Sequence, residues 1–563
     1  MNVVHSDVVI VGSGFGGAVL AARLGEHVRD ALPGRTVLVV EKGGDHTGAF
    51  DPSAPAPDHE PLNAQGNHFR QSLAPAYLAR VAEVATDTAG ALADGAPTLN
   101  VLAGVGLGGG SNVYAGVSLR APTVAFAQTD PAGRRRWPAR YSRAALDPLY
   151  ARVEAELRVT RLAWTDAGGA IPRWQLATKR DLVFAEGCRR IGATAVPLKL
   201  AAYDDANEGW WSQGQRFRGR QNLTMNYLAR AKAAGVRFQA DSEVDRVAPG
   251  GDLGGYVLTG TDRRGGVERP FEIHARVVVV AGGAVGSTAL LLRSEDDFTG
   301  ARALDQGRER VGARVLGRHL SGNGDYGVTG VVGDDLGLDV ETYKSKPIGS
   351  MCPSFFREHG FLVLPFYAEP LYLALGRIST LQRPERPTAL GRWSTGPAVG
   401  ERDWGLAYKR RLARFGGRML SMGCLALDAS EGEIRLGAND RAEVRWPVTD
   451  PATEARWSAA ADVMRRIYEA LGGEMFLDGY RKDGTVNTSH PLGGCRMAER
   501  PEDGVVDPFG ESFGNKNLFV VDGAIIPSSL AANPSLTVAA VAESIADALV
   551  AGQGTEALAS RLA

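Results

Sequence analysis

An α/β fold built on a doubly wound parallel sheet, with an α+β region carrying an antiparallel sheet inserted into it, is predicted by three features of this 563-residue chain. The first is a β-branched run, Asp7 to Val11, that passes through Gly12-Ser13-Gly14-Phe15-Gly16-Gly17 into a helical pattern. The second is a five-residue apolar run, Val277 to Ala281, followed by Gly282-Gly283 and another helical pattern. The third is a closing strand and helix, Leu518 to Val521 and Ser535 to Ala551. Strands buried on both faces read as continuous apolar runs. These pieces lie far apart in sequence, so the sheet is assembled from discontinuous segments.

Composition narrows the function classes. The chain exceeds the ~250–300 residues that a single hydrophobic core serves, so at least two domains are expected. Hydrophobic residues at 44% and charged residues at 23% are ordinary for a globular protein. Basic side chains number 63 and acidic ones 64, so no global field favours nucleic acid or an anionic membrane, and the expected partner is a small molecule. No apolar run approaches the ~20 residues of a membrane span. Met1 to Asp7 is too short and polar for a secretory signal, which makes a cytoplasmic location the expectation. Cys188, Cys352, Cys424 and Cys495 have no metal-ligand spacing and read as free thiols. The nine histidines form no ligand pair on one helix, so no metal is expected. Oligomeric state leaves no signal.

Taken in order, Ala18 to Val28 is helical and Thr36 to Val40 a second strand, which completes a β-turn-α-β unit. Gly44 to Asn100 is irregular, with one helix expected over Pro75 to Ala89. Val101 to Gly116 is a second glycine tract. Ser142 to Leu157 reads as a helix capped by Ser142. Tyr203 to Gln221, with Trp210 and Trp211, is loop-like, and Val236 to Val247 reads as one strand. Leu316 to Tyr480 alternates and is richer in aromatics, with Met419 to Leu427 and Glu443 to Trp446 as antiparallel strands. Pro534 sets the start of the last helix. The expected division is a cofactor domain of residues 1–45, 96–118, 222–300 and 485–563, and a substrate domain of 46–95, 119–221 and 301–484.

The first glycine loop fits a dinucleotide fingerprint: Gly12 for the turn, Gly14 for close approach to a pyrophosphate, Gly17 for helix-to-strand packing. The helix N-terminus then faces the phosphates. Glu41 ends the second strand, where a carboxylate accepts from ribose hydroxyls and disfavours a 2′-phosphate. A nicotinamide cofactor has no use for the second tract, Gly104 to Asn112, which contains Gly106, Gly109, Gly110 and Ser111. A flavin needs that further backbone surface. A flexible linker is the alternative, and the apolar flanks argue against it. Near the other end, His490 within Asn487 to Cys495, Asp522-Gly523 and Asn533-Pro534 are set among glycines and prolines that let them converge on a cofactor.

With these motifs the chain resembles the glucose-methanol-choline oxidoreductase family, FAD enzymes that oxidise alcohols, and within it the cholesterol oxidase branch. The resemblance runs the whole length in order. It is strongest in Val8 to Gly17, Gly104 to Ser111, Ala281 to Ser294, His490 to Cys495 and Asn517 to Thr537. It implies an FAD-binding Rossmann-like domain with adenine near the Val244 backbone, ribose on Glu41, and the ribityl and phosphate side on Asp522 and Gly523. Asn533, Pro534 and Ser535 would pass beside the flavin ring, with the following helix aiming its positive end at the pyrimidine. His490 and Asn533 would bind the substrate hydroxyl. Hydride leaves a carbinol carbon only as the hydroxyl proton is lost or shared, and imidazole suits that task near neutral pH.

The resemblance implies a bulky, hydrophobic, sterol-like alcohol, with O2 or another compound as electron acceptor. A dehydrogenase of a polyol, sugar or aminoglycoside remains open, as does a flavin-binding protein without turnover. Two positions depart from the branch. Tyr114 stands where it carries Asn, leaving Asn112 as a possible substitute, and its isomerising Glu falls near Gly417 or Arg418. Ring isomerisation is therefore not expected, with Glu369 the other carboxylate considered. Tyr367, Tyr372, Trp210 and Trp211 either wall an apolar cavity or pack in a core. The basic runs Lys409-Arg410-Arg411, with Arg414 and Arg418, and Arg134-Arg135-Arg136 read as solvated surface.

Overall fold

The computed structural model describes residues 2–45, 82–85, 98–202, 221–334, 340, 346–366, 384–387, 393–395, 406, 410, 413, 416–437, 440–445, 450–478 and 485–563. The chain opens with β1 (Asn2–Val11), α1 (Phe15–Ala31) and β2 (Val37–Val40). After β3 (Ala82–Ala85) and β4 (Thr98–Gly104) come α2 (Arg143–Glu156) and α3 (Tyr227–Ala233). The sheet is re-entered by β5 (Arg237–Gln239), β6 (Ser242–Gly250), β7 (Gly255–Asp262) and β8 (Arg269–Val280), which runs into α4 (Gly283–Ser294). The strand order is β5-β2-β1-β8-β7-β6. The first four strands in this order, β5, β2, β1 and β8, are parallel, with Val8 opposite Val277 and Val11 opposite Val280, and β7 and β6 continue the sheet antiparallel.

Two local expectations change. The single strand expected over Val236 to Val247 is two, because Asp241 has φ 52, a left-handed conformation that cannot continue a strand. The break lets β5 pair parallel with β2 while β6 pairs antiparallel with β7. Within the helix expected over Pro75 to Ala89, Ala82–Ala85 is instead β3, laddered antiparallel on β4 from Ala82 opposite Gly104 to Ala85 opposite Val101. Pairing with a strand overrides intrinsic helix propensity, even though alanine is the strongest helix former. The rest of that window lies outside the described residues. Ser142 does cap α2, its hydroxyl accepting from the Ala145 N–H at 3.1 Å.

A second core is built on β9 (Tyr326–Val331), β10 (Phe361–Phe366), β11 (Met419–Ala426), α5 (Pro451–Ala470) and β12 (Glu474–Asp478). The antiparallel order is β10-β11-β9-β12, and every residue of β11 is buried. α5 starts at Pro451 behind an Asp450 cap and buries Trp457, Met464, Ile467 and Tyr468 in this core. The strand expected at Glu443 to Trp446 spans Ala442–Arg445 and belongs to a separate sheet with Gly432–Leu436 and Arg318–Leu320; Trp446 lies outside the described residues. Then β13 (Thr485–Thr488) runs parallel to β4, with Thr488 opposite Val101.

The chain closes with β14 (Leu518–Val520), parallel to the end of β8, and α6 (Ser535–Ala551). α6 packs on α1 and α2. Glu543, 1% exposed, accepts from Arg23 at 2.7 Å, Arg152 at 2.8 Å and the Tyr227 hydroxyl at 2.9 Å. One buried carboxylate thus ties four helices, and three donors compensate its desolvation.

His319, in Arg318–Leu320, holds φ 64, and its carbonyl would lie 2.1 Å from a Cβ on Gly493, so that position must be glycine. Burial, with Arg496, Arg136 and Arg318 nearby, pushes the imidazole down from 6.5 to about 3. It is neutral when folded and takes a proton below about pH 6.5 when unfolded. The unfolded state then binds more protons, so stability falls as pH drops from about 6.5 towards 3. His319→Asn keeps a residue that tolerates positive φ. Its melting temperature should fall less than the wild type's between pH 7 and 5; parallel curves would remove His319 from the acid response.

Candidate active site

Two glycine loops meet backbone to backbone. Gly12 has φ 99 and a Cβ there would lie 2.3 Å from the Ala281 carbonyl, whereas Gly16 and Gly17 would clash with the Val521 and Gly12 carbonyls. Gly14 is different: a Cβ on it meets nothing within 4 Å, and the residue faces a cavity of about 1920 Å³. From the second tract, a Cβ on Gly109 would lie 2.8 Å from the Gly14 Cα, and Gly110 opens to the same cavity. Glu41 fastens the loops together. One carboxylate oxygen accepts from the Ser13 N–H at 3.0 Å and hydroxyl at 2.6 Å, the other from the N–H groups of Gly43 at 3.0 Å and Gly106 at 3.2 Å. Burial pushes this carboxyl up, and those hydrogen bonds oppose it.

The cavity is roughly twice the ~1,000 Å³ upper range of single-ligand pockets. Gly14, Glu41, Val244, Asp522, Gly523, His490, Asn533, Pro534 and Ser535 all line it. The N-termini of α1 and α6 open into it with no side-chain cap and no acid in the first turn, so both present unneutralised positive ends. The start of α4 is held by Asp522, which accepts from the Gly283 N–H at 2.7 Å and the Ser287 hydroxyl at 2.5 Å. Burial pushes the Asp522 carboxyl up. Long, glycine-walled and positive at two helix ends, the space fits a dinucleotide with a flexible second half.

On the cavity wall, His490 stands between two partners. Its Nδ1 lies 2.9 and 2.8 Å from the two oxygens of Asp325, and its Nε2 lies 2.9 Å from the Asn533 amide nitrogen. With Nδ1–H donated to Asp325, Nε2 carries the lone pair and accepts from Asn533. The Thr488 hydroxyl bridges Asp325 at 2.8 Å and the His490 N–H at 2.9 Å, so the end of β13 orients the ring as well. His490 and Asp325 side chains are 17% and 11% exposed. Asn533 is buried, and its Oδ1 has no hydrogen-bond partner among the described residues. A buried acceptor left open beside an imidazole lone pair is a place for a donor such as a hydroxyl.

The turn Asn323-Gly324-Asp325 places both members of this pair. Asn323 and Gly324 have φ 58 and 63. The Asn323 side chain accepts from the Leu530 and Ala531 N–H groups at 2.8 and 3.1 Å and donates to the Ala532 carbonyl at 2.9 Å, fixing the segment that delivers Asn533. Sequence reading missed Asp325 and Asn323. Asn-Gly-Asp reads as a turn, and only the fold brings it to His490.

Gly17, Gly106 and Ser111 do not line the cavity. Gly17 packs inside the loop, Gly106 gives its N–H to Glu41, and the Ser111 hydroxyl donates to the Gly108 carbonyl at 2.7 Å and accepts from the Leu223 N–H at 3.1 Å. Gly106 and Ser111 thus hold the loop that carries Gly109 and Gly110. Asn112 does not line the cavity and accepts from Asn222 at 2.6 Å. Tyr114 lines the cavity, edge-on to Phe15, with its hydroxyl on the Gln221 carbonyl.

Arg418 donates to the Val332 carbonyl and pairs with Asp334, whereas Arg410 is exposed. Arg136 donates to the Ala429 carbonyl at 2.9 Å and so ties segments together rather than standing free in solvent. Trp210, Trp211, Tyr367, Glu369, Tyr372, Lys409, Arg411 and Arg414 lie outside the described residues. The aromatic and aliphatic wall that is described near His490 comes from Val117, Tyr326, Ile348, Leu364, Phe366 and Leu425.

Gly14→Ala separates cofactor contact from folding. Gly14 has φ −68, which alanine adopts freely, and its Cβ would enter only the cavity. The variant should keep the wild-type melting temperature without cofactor and retain at least tenfold less FAD after dialysis. Equal retention would mean that nothing approaches Gly14.

Comparison with known proteins follows this geometry. Family models described as GMC oxidoreductase match residues 7–296 and 428–542. A long-chain-alcohol oxidase of Arabidopsis thaliana is 23% identical over 577 residues, covering 96% of this chain and 67% of its own length. A cholesterol oxidase of Acinetobacter baumannii is 52% identical over 56 residues, 10% of each chain. Among solved structures, pyridoxine 4-oxidase from Mesorbium loti superposes with TM-score 0.62 at 20% identity, covering 96% of this chain and 98% of that one. A fungal aryl-alcohol oxidase gives 0.58 at 15% identity, with coverage of 96% and 98%. With the first family model spanning more than half its length, the chain belongs to the GMC oxidoreductases and is an FAD-dependent oxidoreductase acting on the CH–OH group of alcohols.

Proposed function

We propose that this enzyme oxidises a bulky, apolar alcohol, sterol-like or long-chain, to its carbonyl compound, with O2 taking the electrons and H2O2 as the second product. The observation that carries this reading is the His490–Asn533 pair standing at the apolar end of a glycine-walled cavity. FAD, when bound, accepts the hydride of the carbinol carbon. The chain supplies the rest. His490 Nε2, which carries the lone pair when Nδ1–H is donated to Asp325, takes the hydroxyl proton, and the Asp325 carboxylate stabilises the imidazolium that forms. Asn533 orients the same hydroxyl through its amide. Tyr326, Leu364, Phe366 and Leu425 exclude water and favour an apolar substituent over a polyol.

Oxygen as acceptor is supported by the oxidase names of the relatives that align over most of the chain. A second reading, with another acceptor, is supported by a 53-residue match at 42% identity to 2-methyl-1,2-propanediol dehydrogenase of Mycolicibacterium austroafricanum.

The test is anaerobic mixing of the flavin-loaded enzyme with a sterol, a long-chain alcohol and a sugar, followed by air. Bleaching by the apolar alcohols and recovery with peroxide is the expected result. Recovery that fails in air favours the dehydrogenase, and bleaching by the sugar alone overturns the substrate class. His490→Ala and Asp325→Asn should each retain FAD and lose roughly 10²-fold or more in kcat. Unchanged turnover in either flavin-loaded variant would remove that residue from the proton path.

A further inference from the structure

The parallel register of β1 and β8 sets His5 directly opposite His274, at the end of β1 remote from the glycine loop. The hairpin between β6 and β7 bends over them and brings Asp252. Its Oδ2 lies 3.1 Å from His5 Nε2 and 3.2 Å from His274 Nδ1, and the three ligand atoms fall within 4.8 Å of one another. On the other side of the ring, His274 Nε2 lies 2.7 Å from the Glu272 carboxylate. We propose that His5, Asp252 and His274 form a binding site for a divalent transition-metal ion, of the zinc or nickel type, that staples the first strand to the sheet.

The donor set carries the inference. Two imidazoles and one carboxylate are the ligands such ions take, and bonds of about 2.0–2.2 Å place ligand atoms near 3.3 Å apart around a tetrahedral centre. Donation of Nε2–H to Glu272 leaves the lone pair of His274 on Nδ1, facing the other two ligands, and a carboxylate behind a ligating imidazole is the arrangement that fixes tautomer and raises basicity. His274 is 9% exposed and preset by the sheet, whereas His5 at 47% and Asp252 at 69% are reachable from solvent. At present the Asp252 N–H donates to Nδ1 at 2.9 Å. A metal would replace that bond, and Gly250, Gly251 and Gly254, all at positive φ, give the hairpin the freedom to turn the N–H aside. Sequence spacing could not show this site, because its ligands come from two distant strands and a turn.

The site is independent of catalysis: six residues of strand separate His5 from Val11, roughly 20 Å at ~3.3 Å per residue. The described thiols are buried and offer no competing exposed ligand. The test is calorimetric titration of the EDTA-treated, FAD-loaded full chain with zinc chloride, repeated with nickel. The expected result is one saturable equivalent, weakened at least tenfold by His5→Ala and by Asp252→Asn. Both residues are exposed, so the flavin spectrum and turnover should stay as in the wild type. At a hundredfold excess over Kd the wild-type melting temperature should rise by about 2 °C, and that of the double variant should not. No saturable binding, or equal affinity in the double variant, would overturn the site and leave a cluster held by hydrogen bonds alone.

Discussion

The cavity depends on one buried carboxylate. Glu41 accepts from Ser13 in the first glycine loop and from Gly106 in the second, and so holds together two backbones that come within van der Waals contact at Gly14 and Gly109. Apart from the Ser13 hydroxyl, which accepts from the Gly108 N–H at 3.1 Å, the glycines of the two loops offer little side-chain packing between them. The lack of bulk that lets a cofactor approach closely is compensated by the buried acceptor at their junction. All four lone-pair directions of Glu41 are engaged in this way. The ribose contact proposed for Glu41 is therefore coupled to the shape of both loops, and a hydroxyl bound there would have to share or replace one of those donors.

A second constraint acts at the other end. The turn Asn323-Gly324-Asp325 reaches His490 through Asp325 and the irregular segment before Asn533 through Asn323. Imidazole and amide come from distant parts of the final segment, yet a single short turn leading into β9 holds both. Chemistry assigned to two residues thus rests on where that turn is seated.

Legibility in the sequence followed locality. The first loop, the Ser142 cap and the final helix were readable because their geometry is set by residues within a few positions, and Glu41 because it ends a strand next to that loop. His490 and Asn533 stood out as polar residues among glycines and prolines. Asp325 and Asn323 did not, since nothing around them distinguishes a functional turn from any other. Within the second tract the sequence could not tell which residues face the cavity, because small residues are alike whichever way they face; the Ser111 hydroxyl turns to the Gly108 carbonyl. The break at Asp241 was hidden because a left-handed non-glycine residue leaves no compositional mark. The strand at Ala82–Ala85 owes its form to β4, a partner that local propensity cannot see.

The pairing of β13 with β4 and of β14 with β8 has a consequence for biosynthesis. A ribosome delivers the first glycine loop long before the segments that complete its cavity. At ~5–20 residues per second, the ~500 intervening residues take on the order of a minute. Throughout that interval α1 lacks α6, and β8 lacks the neighbour that ends it. No nascent chain short of its last strand and helix possesses the full binding surface, so cofactor capture is a late event in the life of the polypeptide. The apolar edge of the sheet must be shielded by other means until then.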